Sequence, residues 1–166
     1  MRLVPSGDAP TLHPDLTSIA FVLGRWAGEG EGEYPTVKSF GYGEEITFSH
    51  LGKAFVAYTQ RSWHLEDGRP LHSEMGYLRC PSPGKVELVV AHPTGHAEIS
   101  EGTVSGTSIS LSSVTVVGTT SAKEVLELAR HVEVSGEQLR YELKMAAVGT
   151  ELRRHLRASL RRVAGR

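Results

Sequence analysis

The spacing of apolar residues changes period once along this chain. Leu16, Ile19, Ala20 and Leu23 stand at i, i+3, i+4 and i+7 and predict a short helix with one apolar face. Asp15 is placed to cap its start and Gly24 to end it. From Gly24 onward apolar and polar residues alternate, the pattern of strands with one buried face. Strands are predicted over 25–32, 39–49, 53–63, 71–80, 85–92, 96–102, 107–116, 123–134 and 138–147. Turn signals separate them, among them Leu51-Gly52-Lys53, Asp67-Gly68, Pro81-Ser82-Pro83-Gly84, Pro93-Thr94-Gly95, Ser105-Gly106 and Ser135-Gly136. Short strands at close, regular spacing predict an all-β sandwich or barrel. No long amphipathic helix alternates with them, which argues against a parallel α/β sheet. The segment 151–163 reads two ways: Leu152, Leu156, Leu160 and Val163 suit a helix, and Leu156, Ala158 and Leu160 suit a strand.

At 166 residues, 39% hydrophobic and 22% charged, the chain reads as one ordinary folded domain over 13–166. Residues 1–12, rich in Pro, Gly and Asp, read as a loose tail before it. A net charge of −1 offers no global attraction to nucleic acid or an anionic membrane. The single cysteine, Cys80, excludes an intrachain disulfide and suits a reducing compartment. With no apolar leader or membrane-length stretch, a cytoplasmic location is expected. Arg153, Arg154, Arg157, Arg161, Arg162 and Arg166 crowd the last fourteen residues, either as a solvated face or as an anion site.

Gly24, Trp26, Gly28 and Gly30 share one strand parity, with Gly32 after them. One face therefore carries an indole followed by positions without side chains. This marks a bulged barrel corner, a close approach by a ligand, or both. Of the eight histidines, only His92 and His96 are closely spaced, and a Pro-Thr-Gly turn divides them. A metal site built from protein ligands alone is therefore not expected. A haem needs less: one neutral imidazole and an apolar slot.

Gly24-Arg25-Trp26-Ala27-Gly28-Glu29-Gly30, followed by Tyr34-Pro35-Thr36, resembles the signature of the nitrobindins, small haem-binding β-barrels. The likeness runs from about His13 to Val163 and includes His92-Pro93-Thr94-Gly95 and the Met145 to His155 segment. It implies an antiparallel barrel of about ten strands, akin to lipocalins and fatty-acid-binding proteins, with 151–163 as the closing strand. It also implies a ferric haem b held by His155, within Leu152-Arg153-Arg154-His155-Leu156; relatives commonly carry proline where Arg154 stands. In a regular closing strand Leu156 faces away from His155, and Ser159 shares the face of His155. Thr36 is expected near the porphyrin, with Met145, His72 and His92 as pocket walls and no strong acid–base group on the distal side. The implied activity is binding of nitric oxide and isomerisation of peroxynitrite to nitrate at iron, with no nucleic-acid or membrane partner and a homodimer left open. The competing reading is a carrier of a fatty acid or another apolar ligand. A nucleic-acid reading rests only on the arginine-rich end.

Overall fold

Ten antiparallel strands follow one another around a ring, each hydrogen-bonded to the next, and the last pairs with the first. The structure, a computed structural model, describes residues 9–164. The strands are β1 (Gly24–Tyr34), β2 (Val37–Ser49), β3 (Val56–His64), β4 (Pro70–Arg79), β5 (Lys85–His92), β6 (His96–Ser105), β7 (Ser108–Gly118), β8 (Val125–Ser135), β9 (Gln138–Ala147) and β10 (Arg153–Val163). The expected all-β barrel is therefore the fold, and 151–163 supplies a strand. β10 lies against β1 from Arg25↔Val163 to Gly32↔Leu156, which leaves no open sheet edge. Leu12, assigned to the tail by sequence, already packs against the core.

The helix has a different period from the one expected. Pro14–Val22 is a 3-10 helix, and its buried residues are Leu16, Ile19 and Val22, at i, i+3 and i+6. Three residues per turn put every third side chain on one line, so Val22 takes the third buried position, and Ala20 and Leu23 are only half-buried. His13, not Asp15, is the cap: its Nδ1 accepts from the Asp15 N–H at 3.3 Å. At the other end the buried Trp26 indole N–H donates to the Val22 carbonyl at 2.8 Å. Val22 also reaches the interior cavity, so this segment stoppers the barrel end where β1 begins.

The glycines of β1 face inward, but neighbours fill the space above them. A Cβ on Gly28 would stand 2.4 Å from the Ser159 carbonyl oxygen and 2.9 Å from the Leu160 Cα. On Gly30 it would meet the Tyr42 ring at 2.4 Å, and on Gly32 the Phe40 ring at 2.3 Å. Aromatic rings from β2 thus lie over bare backbone of β1. The glycines admit protein side chains, and Gly24, Trp26, Gly28 and Gly30 do not line the cavity.

The arginines of β10 are engaged across the closing seam. Arg154 pairs with Glu33 at 2.6 Å and Arg157 with Glu31 at 2.7 Å. Arg162 lies 4.2 Å above the Trp26 ring, donates to the Leu23 carbonyl and pairs with Glu137 at 3.2 Å. Three of the arginines are cross-strand partners rather than a free anion site. Arg166 lies outside the described residues.

Candidate functional site

A cavity of about 740 Å³ occupies the barrel interior, within the range of small-molecule and cofactor sites. Val37, Leu71, Val125, Met145 and Leu156 supply apolar wall. Thr36, His72, His92, Met145 and His155 all reach this one space. They come from the β1–β2 turn, β4, β5, β9 and β10, so only closure of the barrel brings them together. In the ring of ten strands β5 stands directly opposite β10, which sets His92 and His155 on facing walls.

His155 owes its direction to a bulge. Arg154 pairs with Lys144 and Leu156 with Leu143, so His155 is an extra residue with no partner on β9. A bulge of this kind re-aims a side chain. His155 and Leu156 consequently both line the cavity, whereas the alternation of a regular strand puts them on opposite faces. Ser159, expected on the face of His155, instead bonds Gln138 on the exposed side at 2.7 Å.

Backbone and ring contacts hold the half-buried His155. Its Nδ1 lies 3.1 Å from the Glu33 carbonyl oxygen, and this acceptor makes Nδ1 the protonated nitrogen. Nε2 then carries the lone pair. Burial pushes the imidazole below its ordinary titration range, which favours the neutral ligand form. The Tyr34 ring meets it edge-on at 5.3 Å. Tyr34 is fixed in turn: its hydroxyl accepts from the Ala147 N–H at 2.8 Å and donates to the Ala147 carbonyl at 3.1 Å. Beyond Ala147, Val148 adopts φ 50°, a left-handed conformation that a β-branched residue rarely takes, in the turn leading to β10.

The opposite wall is charged, contrary to the expected absence of an acid–base group there. Arg130 on β8 donates to Glu74 at 3.0 and 3.2 Å and to Glu98 at 2.7 and 3.2 Å. Burial opposes ionisation of both carboxylates, but Arg130 and neighbouring donors more than offset it. Glu98 is held down at about 2, and Glu74 well below the usual carboxylate range. Tyr58 donates to Glu74 at 2.8 Å and Ser100 to Glu98 at 2.7 Å. His72 and His92 also converge, with ring nitrogens 3.4 Å apart. The close histidine pair is therefore made across strands β4 and β5, not by the sequence neighbours His92 and His96. His96 is turned to the Lys123 carbonyl at 2.7 Å.

Glu44 forms a separate acidic point. It accepts from Gln60 at 2.7 Å and from the Tyr141 hydroxyl at 2.8 Å, and Tyr42 extends the chain of hydroxyls at 2.7 Å. Burial pushes its carboxyl from 4.5 up to about 7. The folded protein therefore binds a proton that the unfolded chain releases, and stability falls as pH rises from about 4.5 through about 7. Glu44→Gln removes that charge. Its stability relative to wild type is expected to rise by at most about 3 kcal/mol between about pH 5 and about pH 8, read from urea unfolding. A pH-independent difference would show that Glu44 is ionised throughout. Gln60 Oε1 is a buried oxygen without a partner, and a flipped Gln60 amide would let it accept from the protonated Glu44.

Sequence reasoning missed Glu44, Glu74, Glu98, Arg130 and Tyr141. Glu74 shares a face with the buried Leu78, but Met75 and Tyr77 are exposed, so the apolar pattern of that strand gave no signal for it. Lys123, which also lines the cavity, was missed as well. Burial raises the Cys80 thiol above its ordinary range, and Cys80 contacts Ser18 at 3.7 Å, so it is a core thiol.

A closed antiparallel barrel with an interior cavity into which a backbone-fixed imidazole is turned belongs to the class of ligand-binding β-barrels. Residues 15–162 match the THAP4-like, heme-binding beta-barrel domain. The chain is 53% identical over 155 residues to peroxynitrite isomerase 2 of Mycobacterium marinum, covering 91% of this chain and 96% of that protein. It is 44% identical over 161 residues to an Arabidopsis thaliana protein named peroxynitrite isomerase, covering 96% and 95%. The crystal structure of Rv2717c from M. tuberculosis superposes with a TM-score of 0.87 at 46% identity, covering 93% of this chain and all of that one. The chain belongs to the nitrobindin family of haem-binding β-barrels.

Proposed function

We propose that this chain is a peroxynitrite isomerase that works with ferric haem b and also binds nitric oxide. The observation that carries the reading is the bulge at His155, which turns a neutral imidazole into an apolar cavity with Nδ1 tied to the Glu33 carbonyl. The residues fit a haem. His155 Nε2 would hold the iron, Leu156 and Met145 would lie against the macrocycle, and Lys123 and Thr36, which also line the cavity, would partner its carboxylate side groups. When bound, ferric haem supplies a Lewis-acidic iron for an anionic oxygen ligand.

The protein provides the rest. The Glu33 carbonyl fixes the imidazole orientation and raises its basicity. Apolar walls exclude water from the bound ligand. Arg130 offsets one of the two negative charges of Glu74 and Glu98 and so reduces their repulsion of an entering anion. That same commitment leaves Arg130 no spare charge for a fatty-acid carboxylate, which weighs against the apolar-carrier reading.

Stopped-flow decay of peroxynitrite with ion analysis of nitrate and nitrite tests the proposal. Ferric-haem-loaded protein is expected to speed decay and raise the nitrate share, and cyanide is expected to suppress both effects. Equal product ratios with loaded and haem-free protein would remove the isomerase reading.

A further inference from the structure

On the wall facing His155, three ligand atoms of the kind that hold transition metals come together. His72 Nε2 and His92 Nδ1 are 3.4 Å apart. Glu74 Oε1 is 3.7 Å from each of them. A point equidistant from all three lies about 2.1 Å from each, which matches Zn–N distances of about 2.0–2.1 Å and Zn–O distances of about 2.0–2.2 Å. We propose that His72, Glu74 and His92 form a second metal site, distinct from the haem ligand, that takes a first-row divalent cation such as Zn²⁺.

The atoms around the triad support it. His92 Nε2 lies 3.2 Å from Glu98 Oε2, so the ring donates there and turns the Nδ1 lone pair toward the triad. Glu98 is itself fixed by Ser100 and Arg130. A carboxylate behind a ligand histidine is the usual outer support of a metal site. Glu74 is oriented by Arg130 and Tyr58, which between them take both of its Oε2 lone pairs. Arg130 takes one lone pair of Oε1 as well and leaves one for the cation. Two imidazoles and one carboxylate select first-row transition metals over Mg²⁺ and Ca²⁺, which prefer all-oxygen shells. The charges agree with this. Glu74, Glu98 and Arg130 sum to one negative charge, so a divalent cation is electrostatically welcome. All three ligands line the cavity, so the coordination positions left over face the same space as His155.

The test does not depend on the haem reading. His155→Leu keeps the triad while removing the haem ligand, so it reports the site without competition from haem. Calorimetric titration of this variant with Zn²⁺ is expected to show one equivalent bound and no response to Mg²⁺. Adding His72→Leu or His92→Leu is expected to abolish Zn²⁺ uptake, and Glu98→Gln to weaken it about 10–100-fold. Co²⁺ is expected to shift the proton resonances of His72 and His92 and to leave those of His13 and His131 unshifted. His72 sits half-exposed, so His72→Leu is the substitution that least disturbs folding, and circular dichroism checks it. Failure of folded His155→Leu to bind Zn²⁺ overturns the proposal. So does uptake that survives the further loss of His72, or Mg²⁺ binding of equal strength.

Discussion

His155→Leu is expected to yield a folded barrel that has lost high-affinity haem binding. Leucine keeps the apolar bulk beside Leu156 and Met145 and removes the only nitrogen that β10 presents to the cavity. The Glu33 carbonyl loses its imidazole donor, at a cost of about 1–3 kcal/mol. That is small against the stability of a closed ten-stranded barrel. Hemin affinity is expected to fall by more than the roughly 10–100-fold that losing an outer partner alone produces, because the ligand itself is gone. Hemin titration followed at the Soret band, with circular dichroism for the fold, makes the measurement. Exogenous imidazole is expected to restore the spectrum in His155→Gly, where the vacated space admits it. An unchanged Soret position and affinity in His155→Leu would move the axial role to another residue, and His72 would be tried first.

Arg130→Met is expected to be the most damaging single substitution for stability. It leaves Glu74 and Glu98 buried with no cation between them. Breaking a buried ion network from one side costs about 3–5 kcal/mol. The pH dependence should invert. In wild type both carboxyls titrate below their ordinary 4.5, so their contribution is complete above about 4.5 and is lost as pH falls through about 2, the value for Glu98. In the variant, burial without compensation favours the neutral acids, so stability falls as pH rises. The difference between wild type and Arg130→Met, read from urea unfolding, is expected to be larger at about pH 8 than at about pH 5. A constant difference would mean that water or another cation replaces the guanidinium.

The barrel was legible in the alternation of Val86, Leu88 and Val90 and in the turns between strands, because a strand with one buried face must repeat every second residue. The helix type was not. Leu16 and Ile19 fit both periods, and only packing against the barrel end chose Val22 over Leu23 as the third buried residue. The place of His155 at the cavity was legible through resemblance alone, since its direction depends on a one-residue bulge that no alternation pattern reveals. The charged wall was hidden for another reason. In β4 the large apolar residues Met75 and Tyr77 face out and Glu74 faces in, so hydrophobicity points to the wrong face. Only cross-strand partners that are remote in sequence make that inversion affordable.

The seam between β1 and β10 also fixes when the protein can acquire its cofactor. His155 lies on the strand that leaves the ribosome after the other nine, and its anchoring carbonyl, Glu33, lies on the first. A nascent chain that has made nine strands has the far wall and the charged cluster, but two raw edges and no His155. Pairing the first strand with the last is a long-range event, slow relative to formation of hairpins between neighbours. Holding haem through His155 would therefore require the closed seam: nine strands without β10 offer neither the imidazole nor the pairing that fixes it, however well they assemble.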